Sequence, residues 1–318
     1  MSAKPLDDKG TSAFSMFEFF PGHYRWSYNT LLAFSAGGQL GDFSLIGEQL
    51  KANVGKDDAW HAQWARLADI LEKRAKAGSR FTAAEDYFLS SLYHTISEHF
   101  IPPASPERLA SYREVLRTFD LAREHSAHPV ERVEVPFEGT TLPAYFVPGI
   151  GQGPRPVAIF ICGLDTTKEL WYLRARLQFA QRGVSALFID TPGIGEALRL
   201  HKLVTRADYE KPVGAAIDWL ERRKDVDARK IGIVGSGRVG SAIGGAWVKA
   251  GHEVMFSSRN IDNDKALAAR LGRNARAGTP REAAAFGEVV MVSVPYRSLP
   301  EVGKDLGDLI KGKVVIDT

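Results

Sequence analysis

Lys230-Ile231-Gly232-Ile233-Val234-Gly235-Ser236-Gly237-Arg238-Val239-Gly240 decides how this chain is read. An apolar strand runs into Gly235-x-Gly237-x-x-Gly240, and a helix follows from about Arg238 to Lys249. Glycine-rich turns are common, so the triplet alone is weak. Between a strand and a helix, with a second strand about 20 residues on, it has the context of a dinucleotide-binding unit. Gly235 permits the tight turn, Gly237 lets a pyrophosphate approach the backbone, and Gly240 lets helix and strand pack closely. The phosphates then meet unpaired N–H groups at the positive end of the helix dipole.

Downstream the alternation is regular. A strand is expected over His252 to Phe256, then a helix from about Lys265 to Leu271 and an extended piece near Asn274 to Ala277. Thr279-Pro280-Arg281-Glu282 supplies an N-cap, a proline at the first helical position and a capping acid. Val289 to Val294 and Val314 to Ile316 are the remaining strands. Strand–helix alternation means a parallel sheet, in which Lys230–Val234 is expected to pair with both His252–Phe256 and Val289–Val294. The end of the second strand chooses the cofactor. A carboxylate there bonds the ribose 2′-hydroxyl of NAD(H), whereas an arginine accommodates the 2′-phosphate of NADP(H). This chain has Phe256-Ser257-Ser258-Arg259, and its only acid, Glu253, is at the strand's start. Ser258 can donate a hydrogen bond and Arg259 charge-assisted ones, so the expected cofactor is NADP(H).

Upstream, residues 11 to about 125 read as helical. Trp60, Trp64, Leu67 and Leu71 form one apolar stripe behind Asp57 and Asp58. Thr82-Ala83-Ala84-Glu85 has the form of a capping box opening the next helix, and Pro102, Pro103 and Pro106 precede a third over about Leu109 to Arg123. Aromatic clusters such as Phe17, Phe19, Phe20, Tyr24 and Trp26 are read as packing. Near Pro129 the pattern changes to a hairpin, Val133–Pro136 and Leu142–Val147 around Phe137-Glu138-Gly139-Thr140. Two short apolar runs, Val157–Cys162 and Val184–Ile189, flank a helix from about Lys168 to Arg182, and another helix covers about Asp208 to Arg223.

Composition limits the rest. Of 318 residues, 44% are hydrophobic and 25% charged, which is a globular profile. The net charge of +3 is spread without a basic stripe, so no nucleic-acid partner is expected. No apolar run reaches the roughly 20 residues of a membrane span, and no membrane association is expected. Met1–Gly10 is polar, without the apolar core of a secretory signal. The single cysteine, Cys162, excludes an internal disulfide, and a cytoplasmic location is expected.

Two resemblances follow from particular residues. Tyr28-Asn29-Thr30-Leu31-Leu32-Ala33-Phe34-Ser35-Ala36-Gly37-Gly38-Gln39, Phe160-Ile161-Cys162-Gly163-Leu164-Asp165-Thr166-Thr167-Lys168-Glu169 and Phe188-Ile189-Asp190-Thr191-Pro192-Gly193-Ile194-Gly195-Glu196-Ala197 resemble the cap-containing α/β-hydrolases of the 2,6-dihydroxypseudooxynicotine hydrolase and FrsA-like type. The resemblance runs from about residue 20 to 236. It implies an oxyanion-hole loop at Gly163 and Leu164 and a nucleophile elbow after Lys230–Val234. There G-x-S-x-G would expose a serine above the sheet, but the nucleophile position is Gly237, and Ser236 lies one residue early. Of eight histidines only His252 follows the elbow, and it begins a strand. A working Ser–His pair is therefore not expected.

From Lys230 to Thr318 the chain resembles the NADP-binding half of the coenzyme-F420-dependent NADP reductases. The resemblance rests on Lys230–Gly240, on Ala250-Gly251-His252-Glu253-Val254 with Ser257-Ser258-Arg259, on Val292-Ser293-Val294-Pro295-Tyr296 and on Gly312-Lys313-Val314-Val315-Ile316-Asp317. It implies phosphate contacts at Gly235, Ser236, Gly237, Arg238, Val239 and Gly240, 2′-phosphate contacts at Ser258 and Arg259, and a nicotinamide flank at Val294 and Pro295. It also implies a small redox partner, a deazaflavin or similar acceptor. Members of that family continue into further sheet and helices, so the Rossmann unit is expected to be truncated at its C-terminus, with turnover in doubt.

The expected architecture is α/β: a helical cap over 1–128, a partial α/β-hydrolase core over 129–229 and a Rossmann-type NADP-binding domain over 230–318. Both families claim the strand Lys230–Val234 as a central one, and a strand has only two edges. The sheet that loses it would leave Val157–Cys162 as an open edge able to template dimerisation, so a homodimer is an expectation. The expected function is NADP(H) binding with oxidoreductase ancestry. An ester or C–C hydrolase with an unrecognised nucleophile and an inactive fusion are the alternatives. No catalytic residue or metal site is assigned.

Overall fold

A computed structural model describes residues 19–318 except 104, 164–165, 227–229, 235–237, 250, 295–297, 312 and 318. For residues 210, 230–234, 238–239, 314 and 316–317 it describes the backbone alone. The chain divides into two compact units, Met1–His128 and Pro129–Thr318.

The first unit is helical: α1 (Tyr24–Ser35), α2 (Leu40–Leu50), α3 (Asp57–Ala77), α4 (Arg80–Glu98) and α5 (Pro106–His125). The α3 stripe of Trp60, Trp64, Leu67 and Leu71 is buried. Trp60 packs on Trp26 and Trp64 and donates its indole N–H to the Ile96 carbonyl at 2.9 Å. One expectation is corrected. Helix α4 begins at Arg80, because Ser79 is extended and its hydroxyl accepts the Thr82 N–H. Thr82 therefore lies inside the first turn and is not the cap. Pro106 occupies the first turn of α5 behind the cap Ser105. An open cleft of about 540 Å³ in this unit is lined by Phe19, Phe20, Leu40, Phe43 and Val54, with Glu48 and Lys51 paired to each other at its rim.

The second unit holds two sheets. Strands β1 (Glu131–Phe137) and β2 (Thr140–Val147) form an antiparallel hairpin. Glu138 and Gly139 both take positive φ, +44° and +81°, which is the twist a two-residue hairpin turn requires. With β3 (Val157–Ile161) and β4 (Ser185–Ile189) they make a mixed sheet of order β1-β2-β4-β3. Between β3 and β4, helix α6 (Lys168–Ala175) stops short of the expected Arg182. Arg176 takes φ +34°, and the turn that follows sets Phe179 edge-on against Phe160 at 5.0 Å. Helices α7 (Gly195–Arg199) and α8 (Glu210–Glu221) follow β4.

The second sheet comprises β5 (Lys230–Val234), β6 (Glu253–Ser257), β7 (Ala275–Ala277), β8 (Val289–Val292) and β9 (Val314–Asp317), all parallel, in the order β7-β6-β5-β8-β9. Strand β5 pairs with β6 and β8, as expected. Helices α9 (Arg238–Lys249), α10 (Ile261–Leu271), α11 (Pro280–Phe286) and α12 (Leu299–Leu306) connect the strands. Helix α10 begins four residues before its expected start, because Asn260 caps it by accepting the Asp262 and Asn263 N–H groups. Thr279 and Glu282 form the full capping box of α11.

Helix α8 joins the two sheets. Val213 and Ile217 are buried with Trp247, Val254, Phe256 and Met291, while Ala216 and Leu220 are buried with Val135, Phe146 and Leu187. Burying such side chains contributes about 1.5–3 kcal/mol each. Strand β3 is the edge of the mixed sheet, with β4 its hydrogen-bonded neighbour among the described strands. Arg155 forms a parallel bridge to Val226, with its N–H on the Asp225 carbonyl at 2.9 Å, and β9 approaches β3 beyond that point. The chain thus starts beside β3, where a hydrolase sheet would continue, and then enters the other sheet as β5.

Candidate functional sites

In the parallel sheet the chain runs outward from β5 through β6 to β7 and then returns to the other side of β5 with β8 and β9. The order reverses between β5 and β8, and ligands of open α/β sheets bind beyond the strand ends at such a point. Val234 is level with Ser257 on β6 and with Val292 on β8. The loops carrying the expected site residues therefore leave three adjacent strands at one level. Gly235, Ser236, Gly237 and Pro295 lie outside the described residues. Arg238 and Val239 open α9, and Gly240 is buried in its first turn. Val294 follows β8 and packs with Leu299, Val302 and Val315 against the cluster around Val290 and Leu306.

At the end of β6, Arg259 is exposed and makes no ion pair among the described residues. Ser258, the other residue expected at a 2′-phosphate, has protein partners at the same strand end. Its Oγ lies 2.8 Å from Asp264 Oδ2 and 3.2 Å from the Asn260 carbonyl oxygen, and it accepts the Asn260 N–H at 3.1 Å. Asp264 is wholly buried in the first turn of α10. No sequence motif singled it out, because a first-turn acid is ordinary helix chemistry.

In the mixed sheet, the loops after β3 and β4 converge on Lys168, a wholly buried lysine. Its Nζ lies 2.6 Å from Glu169 Oε1, 2.8 Å from Glu196 Oε2 and 3.2 Å from Asp190 Oδ2. Arg132 reaches Glu196 from β1 at 2.6 Å. Asp190 also accepts the Lys168 and Glu196 backbone N–H groups at 2.8 and 2.9 Å. Gly195, at φ +46°, makes the close approach possible, since a Cβ there would collide with the Asp190 carboxylate. Burial opposes the charge on Glu196, but Lys168 and the hydrogen bond from Arg132 outweigh it and hold the carboxyl at about 2. Burial raises Glu169, against the pull of Lys168. Burial and the neighbouring Asp190 and Glu169 push the Cys162 thiol well up, so it is a poor nucleophile. The Gly163 N–H, half of the expected oxyanion hole, is 2.9 Å from Thr166 Oγ1; Leu164 lies outside the described residues. Sequence reading quoted Lys168, Glu169, Asp190 and Glu196 without a role. The signal was present: charged residues abutting runs that are otherwise apolar.

Among the described residues no helix is long and apolar enough to cross a membrane, and no cluster of metal-ligating side chains occurs.

The fold defines an α/β chain with a hydrolase-like mixed sheet and a five-stranded parallel sheet. The sequence pattern of the family described as "Esterase FrsA-like" matches residues 47–243, and the chain belongs to that family. A second pattern, "NADP oxidoreductase coenzyme F420-dependent", matches residues 230–318. Both therefore include β5, the turn after it and the start of α9. The alpha/beta hydrolase ucsC of an Acremonium species is 28% identical over 257 residues, covering 70% of this chain and 52% of that protein. The alpha/beta hydrolase xenA of Xenoacremonium sinensis is 29% identical over 198 residues, covering 59% and 46%. The 2,6-dihydropseudooxynicotine hydrolase of Paenarthrobacter nicotinovorans is 27% identical over 183 residues, covering 57% and 49%. The chain thus spans about half the length of the curated relatives it matches. The crystal structure of 2,6-dihydroxy-pseudo-oxynicotine hydrolase superposes with a TM-score of 0.56 at 16% identity, covering 90% of this chain and 88% of that one.

Proposed function

We propose that the segment from Lys230 onward binds NADP(H) and that the hydrolase-like region serves as scaffold without serine-hydrolase chemistry. The observation that carries this reading is the strand order β7-β6-β5-β8-β9, in which the strands β5, β6 and β8, followed in sequence by the glycine-rich segment, Arg259 and Val294, are adjacent at the reversal point. The match to the NADP oxidoreductase pattern supports it. On this reading Gly235, Ser236, Gly237 and the start of α9 take the pyrophosphate, and the nicotinamide lies toward Val294 and Pro295. Arg259 fits a 2′-phosphate: it is cationic, exposed and makes no ion pair among the described residues. The bound cofactor would supply hydride transfer, with a deazaflavin or related small acceptor as partner. Titration of the chain with NADPH and NADH tests the reading, and binding of neither contradicts it.

A second reading, hydrolysis of an ester or C–C bond, is favoured by membership of the FrsA-like family. Against it stands Gly237 at the nucleophile position. Fluorophosphonate labelling that disappears in Ser236→Ala would establish it; the expected result is no such labelling.

A further inference from the structure

Helix α8 presents neighbouring apolar stripes to two different sheets. Val213 and Ile217 are buried in the cluster that holds Trp247 of α9 with Val254 and Phe256 of the parallel sheet. Ala216 and Leu220, each three residues further along, are buried in the cluster that holds Val135, Phe146 and Leu187 of the mixed sheet. Positions three and four apart share a side of a helix, so α8 cannot turn toward one sheet without disturbing the other. Ile159 of β3 packs against both clusters. The ends of the helix are tied in the same double way. Before its first turn, the Tyr209 hydroxyl bonds the hydroxyl of Thr191, just after β4, while the Tyr209 side chain packs against the parallel-sheet cluster. At its last residue, Glu221 Oε1 lies 2.7 Å from Nε2 of the buried His252, which leads into β6. Just beyond, Arg223 donates to Glu131 of β1 at 2.9 Å.

We infer that α8 makes the two sheets one cooperative body, so that a dinucleotide bound at the parallel sheet also stabilises the mixed sheet. The ligand half of this rests on the dinucleotide-binding reading; the cooperative half does not. A helix of 12 residues is marginal in water by itself, so α8 owes its order to the apolar surfaces it covers. If the parallel sheet opened alone, Val213 and Ile217 would be left facing water and Glu221 would lose His252. If the mixed sheet opened alone, Ala216 and Leu220 would be exposed instead. Either opening strips part of the cover from the sheet that stays folded, and neither sheet keeps its full stability without the other. The hydrolase-like sheet is then more than a support, because its stability reports whether the cofactor site is filled.

The test is hydrogen–deuterium exchange of the full chain, read by mass spectrometry, without NADPH and at about a hundred times its Kd. A ligand that binds only the folded form raises the closed-to-open ratio of its whole cooperative unit by about a hundredfold at that concentration. The expected result is that the slowest amides of β4 slow by about a hundredfold, together with those of β6. Slowing confined to residues 230–318, with β4 unchanged, overturns the inference while cofactor binding stands. Val213→Ala combined with Glu221→Gln loosens α8 from the parallel sheet and leaves Ala216 and Leu220 in place. In that variant NADPH should still slow β6, but β4 by less than about tenfold; an undiminished effect on β4 would show that the coupling does not pass through α8. Pulse labelling across a urea titration of the wild type needs no ligand and no variant. One shared midpoint for β4 and β6 is expected, and separate midpoints overturn the inference even if the variant fails to fold. A wild-type chain that binds neither cofactor overturns the dinucleotide reading, and the urea midpoints then decide whether the sheets are coupled.

Discussion

The two sheets of the second unit treat charge in opposite ways. At the ends of β3 and β4, Lys168, Glu169, Asp190, Glu196 and Arg132 are turned on one another, and each ionic group has a protein partner. After β6 the chain carries Arg259, exposed and with no ion pair among the described residues, and the segment that follows β5 is glycine-rich in sequence. Buried charges are tolerated when they are paired and hydrogen-bonded, and such pairing leaves little for a ligand. The contrast teaches that identical α/β logic can end in a buried charge cluster on one sheet and in an exposed, unpaired cation on the other.

The largest expected effect breaks the knot. Lys168→Met leaves Glu169, Asp190 and Glu196 together without their shared cation. Removing one partner of a buried ion pair costs about 3–5 kcal/mol, so the urea midpoint should fall steeply. A shift too small to resolve would mean that the cluster is not structural.

Acid should loosen the same knot. Glu196 is held at about 2 in the folded chain, against an ordinary value of 4.5. Its folded value is depressed, so its contribution is complete above 4.5 and is lost as pH falls from there through about 2. Glu169 works the other way: it is raised in the fold, and its contribution declines as pH rises above the ordinary carboxylate value. Glu196→Gln should flatten the acid limb of stability against pH. An unchanged limb would show that other carboxylates set it, Glu72 being the next candidate, held at about 2 by Arg117 against the cost of burial.

Arg259→Ala sharpens the comparison from the other side. A hydrogen bond to a charged group contributes about 1.5–3 kcal/mol, so NADPH should weaken on the order of tenfold to a hundredfold while NADH and folding stability stay nearly unchanged. Equal weakening of both cofactors would make Arg259 an adenine or structural contact. The smallest expected effect is at the cap of α11, which follows the neighbouring strand β7. Thr279→Ala should lower stability by about 1 kcal/mol and leave the NADPH-to-NADH ratio alone; a changed ratio would tie α11 to the rim.

The parallel sheet could be read from sequence because its signals are local. Apolar runs, glycine turns and the Thr279–Glu282 box each act within a few residues, and β5 found both expected partners. The Glu138-Gly139 turn was read in the same way. What escaped depends on choices between neighbours or on distant contacts. Ser79 and Thr82 are both good caps, and only backbone direction selects Ser79. Helix α6 stops at Ala175, ahead of the segment in which Phe179 meets Phe160 of β3. Helix α12 went unread, since its Gly303 and Pro300 are poor helix formers and its stability comes from Leu299, Val302 and Leu306 packing inward. The Lys168 knot draws on residues from Arg132 to Glu196, which lie far apart in the sequence. The glycine-rich turn itself, 235–237, lies outside the described residues, and its assignment rests on sequence and on the strands around it.

The most direct test of the central claim is calorimetric titration of the full-length wild-type chain with NADPH and NADH at low salt. The expected result is saturable one-to-one binding of both, with NADPH the tighter. Binding of neither, or NADH equal to or tighter than NADPH, would contradict the assignment of the Lys230–Thr318 sheet as an NADP(H) site.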